Sequence, residues 1–257
     1  MSIIDLSVTI SEKIKEPLIT RIEYENHEEC VENTGKRLFK DIQGDIFVNG
    51  KGLAGEMLYL ATHCGTHVDA PYHYSPTCGG KPSRTIEELP LEWFFNDGVV
   101  LDFTDKPDGY LIEEKDLVEK LSDIGYTLKP LDIVLIRCDA DKRIYNEDYV
   151  KIHVGVSAKA TRWLIDQGVK VMGTDGWGWD VPLHIQIERF KLNPKPGIIW
   201  EAHYVGIDKE YCQIEKLANL DLLPPFGFKV SCFPTKIEKA SGGWTRAVAI
   251  LDSNKVQ

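Results

Sequence analysis

Three of the seven histidines in this chain fall in one eleven-residue segment, His63-Cys64-Gly65-Thr66-His67-Val68-Asp69-Ala70-Pro71-Tyr72-His73. An even scatter would put about 0.3 of a histidine in such a window, so the cluster needs a cause. His63, His67, Asp69 and His73 all occupy odd positions. In an extended chain alternate side chains share a face, so all four can point to one side. A helix would align His63 with His67 but swing Asp69 away, and Gly65 and Pro71 also oppose a helix. The spacing predicts an extended segment with a sharp bend that presents imidazoles and a carboxylate to one point.

Two neutral imidazoles and a carboxylate suit Zn²⁺, Mn²⁺ or Fe²⁺. Three protein ligands leave a position open for water, as in a catalytic site and unlike a closed structural one. A water bound there would have its pKa lowered to roughly 7, which gives a hydroxide nucleophile at neutral pH. Thr66 could orient a ligand through its hydroxyl. His73 could be a further ligand or a general acid/base. Cys64, at an even position, should face away from the metal. Histidines without any metal, in the core or at the surface, are the competing explanation. That explanation suits a lone histidine better than three in register with a carboxylate.

Other residues carry weaker signals. Trp177 and Trp179, in Asp175-Gly176-Trp177-Gly178-Trp179-Asp180, follow an expected strand. They either wall a pocket for a flat aromatic substrate or pack against the sheet or an interface. Asp175 and Asp180 could touch the site, although such residues more often cap turns. Glu201 follows an apolar run, and a carboxylate at the end of a buried strand is costly unless paired or metal-bound. An ion pair with an arginine is the alternative for Glu201. His27 and His153 are read as surface or core residues.

The elements that must position these groups are mostly strands. Residues 3–10, 56–61, 98–103, 132–138, 169–173, 197–200, 228–233 and 245–251 are short β-branched or apolar runs. Residues 113–121 carry apolar side chains at helical spacing before Gly125. Residues 157–167 begin with Ser157 as an N-cap and end at Gly168. The latter helix runs into the strand at 169, an α/β unit. The stretches around Pro182, Pro194, Pro196, Pro224 and Pro225 read as loops. The expectation is one α/β domain over residues 1–257, a mixed sheet with a few packed helices.

The motif HCGTHVDAPYH resembles HxGTHxDxPxH, the signature of the metal-dependent cyclase family of hydrolases, which includes kynurenine formamidase, isatin hydrolase and trans-dienelactone hydrolase. Ile4-Asp5-Leu6-Ser7, residues 160–175 and residues 243–251 resemble other family segments. The resemblance implies the swivelling β/β/α fold and a homodimer or homotetramer. It implies that His63, His67 and Asp69 bind metal and that His73 shuttles protons. In the formamidase branch a glutamate and a histidine hold a second metal with a shared aspartate. Glu201 stands where that glutamate is expected, and His184 and His203 compete for the histidine. In the isatin-hydrolase branch one metal, typically Mn²⁺, suffices, and His203 would then contact substrate. The segments 176–196 and 210–225 depart from the formamidase pattern and lie closer to isatin hydrolase. One or two ions, Mn or Zn, are therefore expected.

Composition agrees with a small-molecule enzyme. The 257 residues carry a formal net charge of −10, and without a basic cluster this argues against nucleic acid or an anionic membrane as partner. No apolar run reaches the roughly 18 residues of a membrane span, and the start of the chain lacks a signal-peptide pattern, so a cytoplasmic location is the default. The six cysteines are scattered with no CxxC pair, which reads as reduced thiols. The expected reaction is hydrolysis of a small amide, either cyclic and isatin-like or an N-formyl arylamine. A lactone hydrolase and a non-catalytic metal-binding module are the alternatives. No GxSxG elbow offers a serine nucleophile.

Overall fold

The apolar runs become the centre of one sheet in the computed structural model, which describes residues 1–251. In chain order its strands are β1 (Ser2–Asp5), β2 (His67–Asp69), β3 (Phe95–Asp102), β4 (Ile133–Arg137), β5 (Val171–Thr174), β6 (Cys212–Glu215), β7 (Phe226–Ser231), β8 (Gly242–Trp244) and β9 (Val248–Leu251). Their spatial order is β1-β9-β7-β3-β4-β5-β6-β2-β8. Strands β3 to β6 run parallel, and the pairs outside them are antiparallel.

Residues of β4 explain why such runs read as continuously apolar. Ile133 and Leu135 pack into one buried cluster, and Val134 and Ile136 into another on the opposite face. A parallel strand covered on both faces has no polar side to show. Helices α1 (Glu114–Asp123) and α2 (Ala158–Asp166) cover one face through Leu117, Leu121, Ala160 and Leu164. Ser157 caps α2 by accepting from the Ala160 N–H, as its position predicts. Gly168, at φ +94°, turns the chain back towards β5.

The other face is covered by the sheet itself. Val230 and Ala249 from one end share a cluster with Val68 and Ile214 from the other, so the sheet curls around them. The ends meet at a seam. Ser7 bridges Leu217, and the Ala218 N–H donates to the Leu6 carbonyl at 2.9 Å. Mixed α/β architecture with a large mixed sheet is thus as expected.

Several boundaries differ. The first strand stops at Asp5. Residues 55–60 form a strand as expected, but it pairs with Thr20–Glu25 in a separate two-stranded sheet. Residues 197–200 form a turn and no strand. Among the elements not anticipated are the strand Thr20–Glu25, strand β6 and a helix, α3 (Leu183–Leu192). Pro182 stands as the N-cap of α3, where its missing N–H costs nothing, so the proline marked a helix start within a stretch expected to be loop. Among the described residues no helix is long and apolar enough to cross a membrane.

Candidate metal centre

Strand β2 lies between β6 and β8, and its register builds the site. His67 is opposite Glu215, and Asp69 is opposite Gln213 on one side and Gly242 on the other. With a side-chain period of two, His67, Asp69 and Glu215 share a face. Gly65, at φ +60°, reverses the chain ahead of β2 and brings His63 over the strand. Gly242 leaves the room for it, since a Cβ there would lie 2.8 Å from His63 Cε1. His73 arrives differently. The segment Pro71–Tyr74 is a helical turn, so His73 returns towards Asp69 by i,i+4 spacing, with its Nε2 3.9 Å from Asp69 Oδ2. The extended reading was correct for His67 and Asp69 but not for His63, which sits in a turn, or for His73. The rings of His63 and His73 are 4.1 Å apart.

The C-terminal half supplies the rest. His203 Nδ1 donates to Asp180 Oδ2 at 2.5 Å. The same carboxylate accepts from the Ala202 N–H at 2.9 Å, so Asp180 fixes both the ring and its backbone. His203 Nε2 then faces Asp69 Oδ2 at 3.8 Å and Glu215 Oε1 at 3.7 Å. Two sets of potential ligand atoms result, His63/Asp69/His73 and His67/Asp69/Glu215, each within 4.8 Å, and they share Asp69.

Electrostatics in the cluster follow burial. Asp69 has no solvent exposure. Burial pushes its carboxyl up, but the imidazoles of His73 and His63 outweigh this and hold it well below the usual carboxylate range. Glu215 goes the other way, raised by burial and then by the Asp69 charge. Burial lowers His73 to about 4, against the pull of Asp69. His203 rises to about 9: burial opposes this, and the Asp180 hydrogen bond and charge overcome it.

The donor set fits a divalent cation. His67 Nδ1–H donates to the Gly65 carbonyl at 2.9 Å, which leaves the Nε2 lone pair facing Asp69 Oδ1 at 3.2 Å. His67 Nε2 and Asp69 Oδ2 are fully buried with no hydrogen-bond partner among the described residues. Orphaned buried polar atoms cost about 1–3 kcal/mol each, and a cation would satisfy both. His63 Nε2 lies 2.9 Å from Ser241 Oγ and its Nδ1 2.7 Å from Asp69 Oδ1, so a cation bound at Nδ1 would take the place of the hydrogen in that contact while Ser241 fixes the other edge of the ring.

Of the other expected site residues, His203 and Trp177 are brought to the site. Trp177 lines the adjoining cavity, and its Nε1–H donates to Glu16 Oε2 at 3.0 Å. Trp179 packs in the core, with its Nε1–H on Thr161 Oγ1 at 2.9 Å; only its backbone N–H reaches the site, donating to Glu215 Oε1 at 3.1 Å. His184 is exposed on α3 and does not line the cavity. Glu201 is not brought to the cluster. It pairs with Arg189 at 2.6 Å, because residues 197–200 form a turn that carries it away from the sheet. Thr66 ties the seam, not a ligand: its hydroxyl donates to the Lys216 carbonyl at 2.5 Å and accepts from the Val8 N–H. Asp175 caps a turn through the Cys138 and Asp139 N–H groups.

Glu215 is the residue that sequence reasoning missed. The carboxylate that ends a buried strand is Glu215, the last residue of Cys212–Glu215, and not Glu201.

The cluster opens onto a cavity of about 440 Å³, within the range of small-ligand sites. Its walls are largely apolar and aromatic, with Leu18, Tyr74, Trp177, Val181, Trp200 and Tyr204 among them.

Residues 4–181 match a protein family described as putative cyclase. Solved structures share the fold. An isatin hydrolase bound to the product analogue thioisatinate superposes with a TM-score of 0.76 at 20% identity, covering 98% of this chain and 92% of that one. Isatin hydrolase A from Labrenzia aggregata, bound to benzyl benzoate, gives 0.73 at 23% identity, covering 97% and 93%. A protein described as a potential metal-dependent hydrolase with cyclase activity gives 0.66 at 16% identity, covering 98% of each chain.

Proposed function

The chain belongs to the putative cyclase family, and from that premise we propose that it is a metal-dependent hydrolase of a small amide, either a cyclic one such as isatin or an N-formyl arylamine. The observation that carries the reading is the pair of orphaned buried atoms, His67 Nε2 and Asp69 Oδ2, inside a ring of imidazoles and carboxylates at the foot of an apolar cavity. The isatin hydrolases with the same fold support an aromatic amide as substrate.

His63, His67 and Asp69 would hold one ion, and His203 and Glu215, with Asp69 shared, could hold a second; Mn²⁺ and Zn²⁺ both suit these donors. A divalent cation supplies Lewis-acid polarisation of a carbonyl and acidification of a water. The chain's own residues do the remaining work. His73 has a side chain on the open side of the cluster, 34% exposed against 1% for Asp69. From there it takes a proton from the attacking water and returns it to the leaving nitrogen. Asp180 keeps the Nδ1–H edge of His203 engaged, so that Nε2 faces the reacting centre. Trp177 and Trp200 offer flat apolar surface for an aryl ring and exclude water from it.

The test is a substrate panel on protein stripped with chelator and reloaded with Mn²⁺ or Zn²⁺. Hydrolysis of isatin or N-formylaniline, absent in the stripped protein and restored by metal, is the expected result. Turnover of a lactone such as dihydrocoumarin alone would make the protein a lactone hydrolase. Tight metal binding with no turnover of any probe would make it a non-catalytic metal-binding module.

A further inference from the structure

His153 lies outside the metal cluster and the mechanism gives it no part, yet it is 1% exposed and lines the same cavity. Its Nδ1 lies 2.8 Å from the Val154 carbonyl. A carbonyl only accepts, so Nδ1 carries the hydrogen. Burial lowers the imidazole to about 4, so the ring is neutral and Nε2 is a lone-pair acceptor. Nε2 is fully buried and has no hydrogen-bond partner among the described residues.

The neighbours make this a built position. Gly176 has no side chain where one would lie 2.9 Å from His153 Cβ, so the glycine admits the ring. Several other polar side chains of the cavity wall are already engaged. Trp177 donates to Glu16, Lys216 Nζ donates to the His63 carbonyl and pairs with Glu16, and Gln186 bonds Val181 and Trp200. Among the described residues lining the cavity, only Tyr74 Oη and His153 Nε2 are buried and unpartnered. An apolar ligand would leave Nε2 orphaned at a cost of about 1–3 kcal/mol. A ligand with a matching donor would remove that cost.

We propose that His153 Nε2 is a specificity-determining acceptor that reads an N–H group of the substrate, selecting secondary amides over their N-alkylated or ester counterparts. The inference deepens the amide-hydrolase reading and rests on it for the substrate class. A site built to receive a donor rejects the analogue that lacks it, because the buried acceptor is then left unpaired. His153 here touches substrate but moves no proton.

Isatin and N-methylisatin differ at this one group and serve as probes. With the metal-loaded wild type, the preference for isatin is expected to be about tenfold or more, expressed in KM; in His153→Phe it should fall to within about twofold, with N-methylisatin still turned over. His153→Gln, which restores an acceptor oxygen, should recover part of the preference. An equal preference in wild type and a folded His153→Phe overturns the proposal. A second measurement needs no variant. In the zinc-loaded wild type the His153 Nε2 ¹⁵N resonance should move on adding isatin and stay fixed with N-methylisatin. If isatin binds, moves that resonance and is not hydrolysed, the acceptor role stands and the hydrolase reading fails. If isatin is hydrolysed with the resonance unmoved, the hydrolase reading stands and the acceptor role fails. Failure of both probes to bind also overturns it.

Discussion

Asp69 is a carboxylate with no access to water, surrounded by four imidazoles and a second carboxylate. A buried charge is tolerated only where partners replace its hydration, and here the partners form a ring that a cation completes. Glu215 and Glu201 separate the site from its sequence-based expectation. Glu215→Gln should weaken metal binding by at least about 10–100-fold, the range known for partners one layer further out. Glu201→Gln should leave metal affinity unchanged and cost about 1 kcal/mol or less, since its pair with Arg189 is part-exposed. Isothermal titration with Mn²⁺ and Zn²⁺ compares the two; weakening by Glu201→Gln alone would reverse the assignment. His153 also predicts a pH effect on folding. Its pKa is depressed from 6.5 to about 4, so the unfolded chain binds the proton more readily. The stability this group contributes is full above pH 6.5 and is lost as pH falls towards 4, about 3 kcal/mol at most. Urea denaturation of the metal-stripped protein between pH 7.5 and 4.5 should show a steeper loss in wild type than in His153→Phe. Parallel curves would contradict it.

Two strands, β2 and β6, and two glycines, Gly65 and Gly242, set the geometry of the centre. Gly242→Ala would force a Cβ to 2.8 Å from His63 Cε1 and 2.9 Å from the Val68 carbonyl. Such overpacking costs about 1–3 kcal/mol and should also lower metal affinity by displacing His63; unchanged affinity would mean that His63 is not a ligand. Ser157→Ala should cost about 1 kcal/mol in urea denaturation through loss of the α2 cap. The ligand segment was legible in the sequence because three histidines and an aspartate lie close together, with glycine and proline marking the bends. The parallel strands were legible because burial on both faces leaves uniform apolar runs. Strand β6 was not, since Cys212-Gln213-Ile214-Glu215 mixes polar and apolar residues, and Gln213 and Glu215 are polar because they face the site. Residues 197–200 show the converse. Ile198, Ile199 and Trp200 have the apolar character of a strand, but proline at 196 and Gly197, at φ +84°, make a turn. That turn carried Glu201 away from the sheet, and the polar signal of Glu215 was hidden in a strand that did not look like one.

The curled sheet brings residues 63–73 against Asp180, His203 and Glu215 from the C-terminal half of the chain, and closes at the seam between Ser7 and Leu217. Because the ligands come from segments far apart in the chain, a cation that binds only the folded state should stabilise the whole molecule. At a free concentration 100 times the Kd the gain is about 2.7 kcal/mol, seen as a rise in urea midpoint that EDTA abolishes; a midpoint indifferent to metal would contradict this. The proposed chemistry requires a cation lying among His63, His67 and Asp69. Anomalous diffraction at the manganese edge, from crystals grown with Mn²⁺, locates it directly. The predicted result is a peak about 2.0–2.2 Å from His67 Nε2 and an Asp69 oxygen. A peak only elsewhere, such as at the acidic group Asp139, Asp141 and Asp175, or no peak at all, would contradict it.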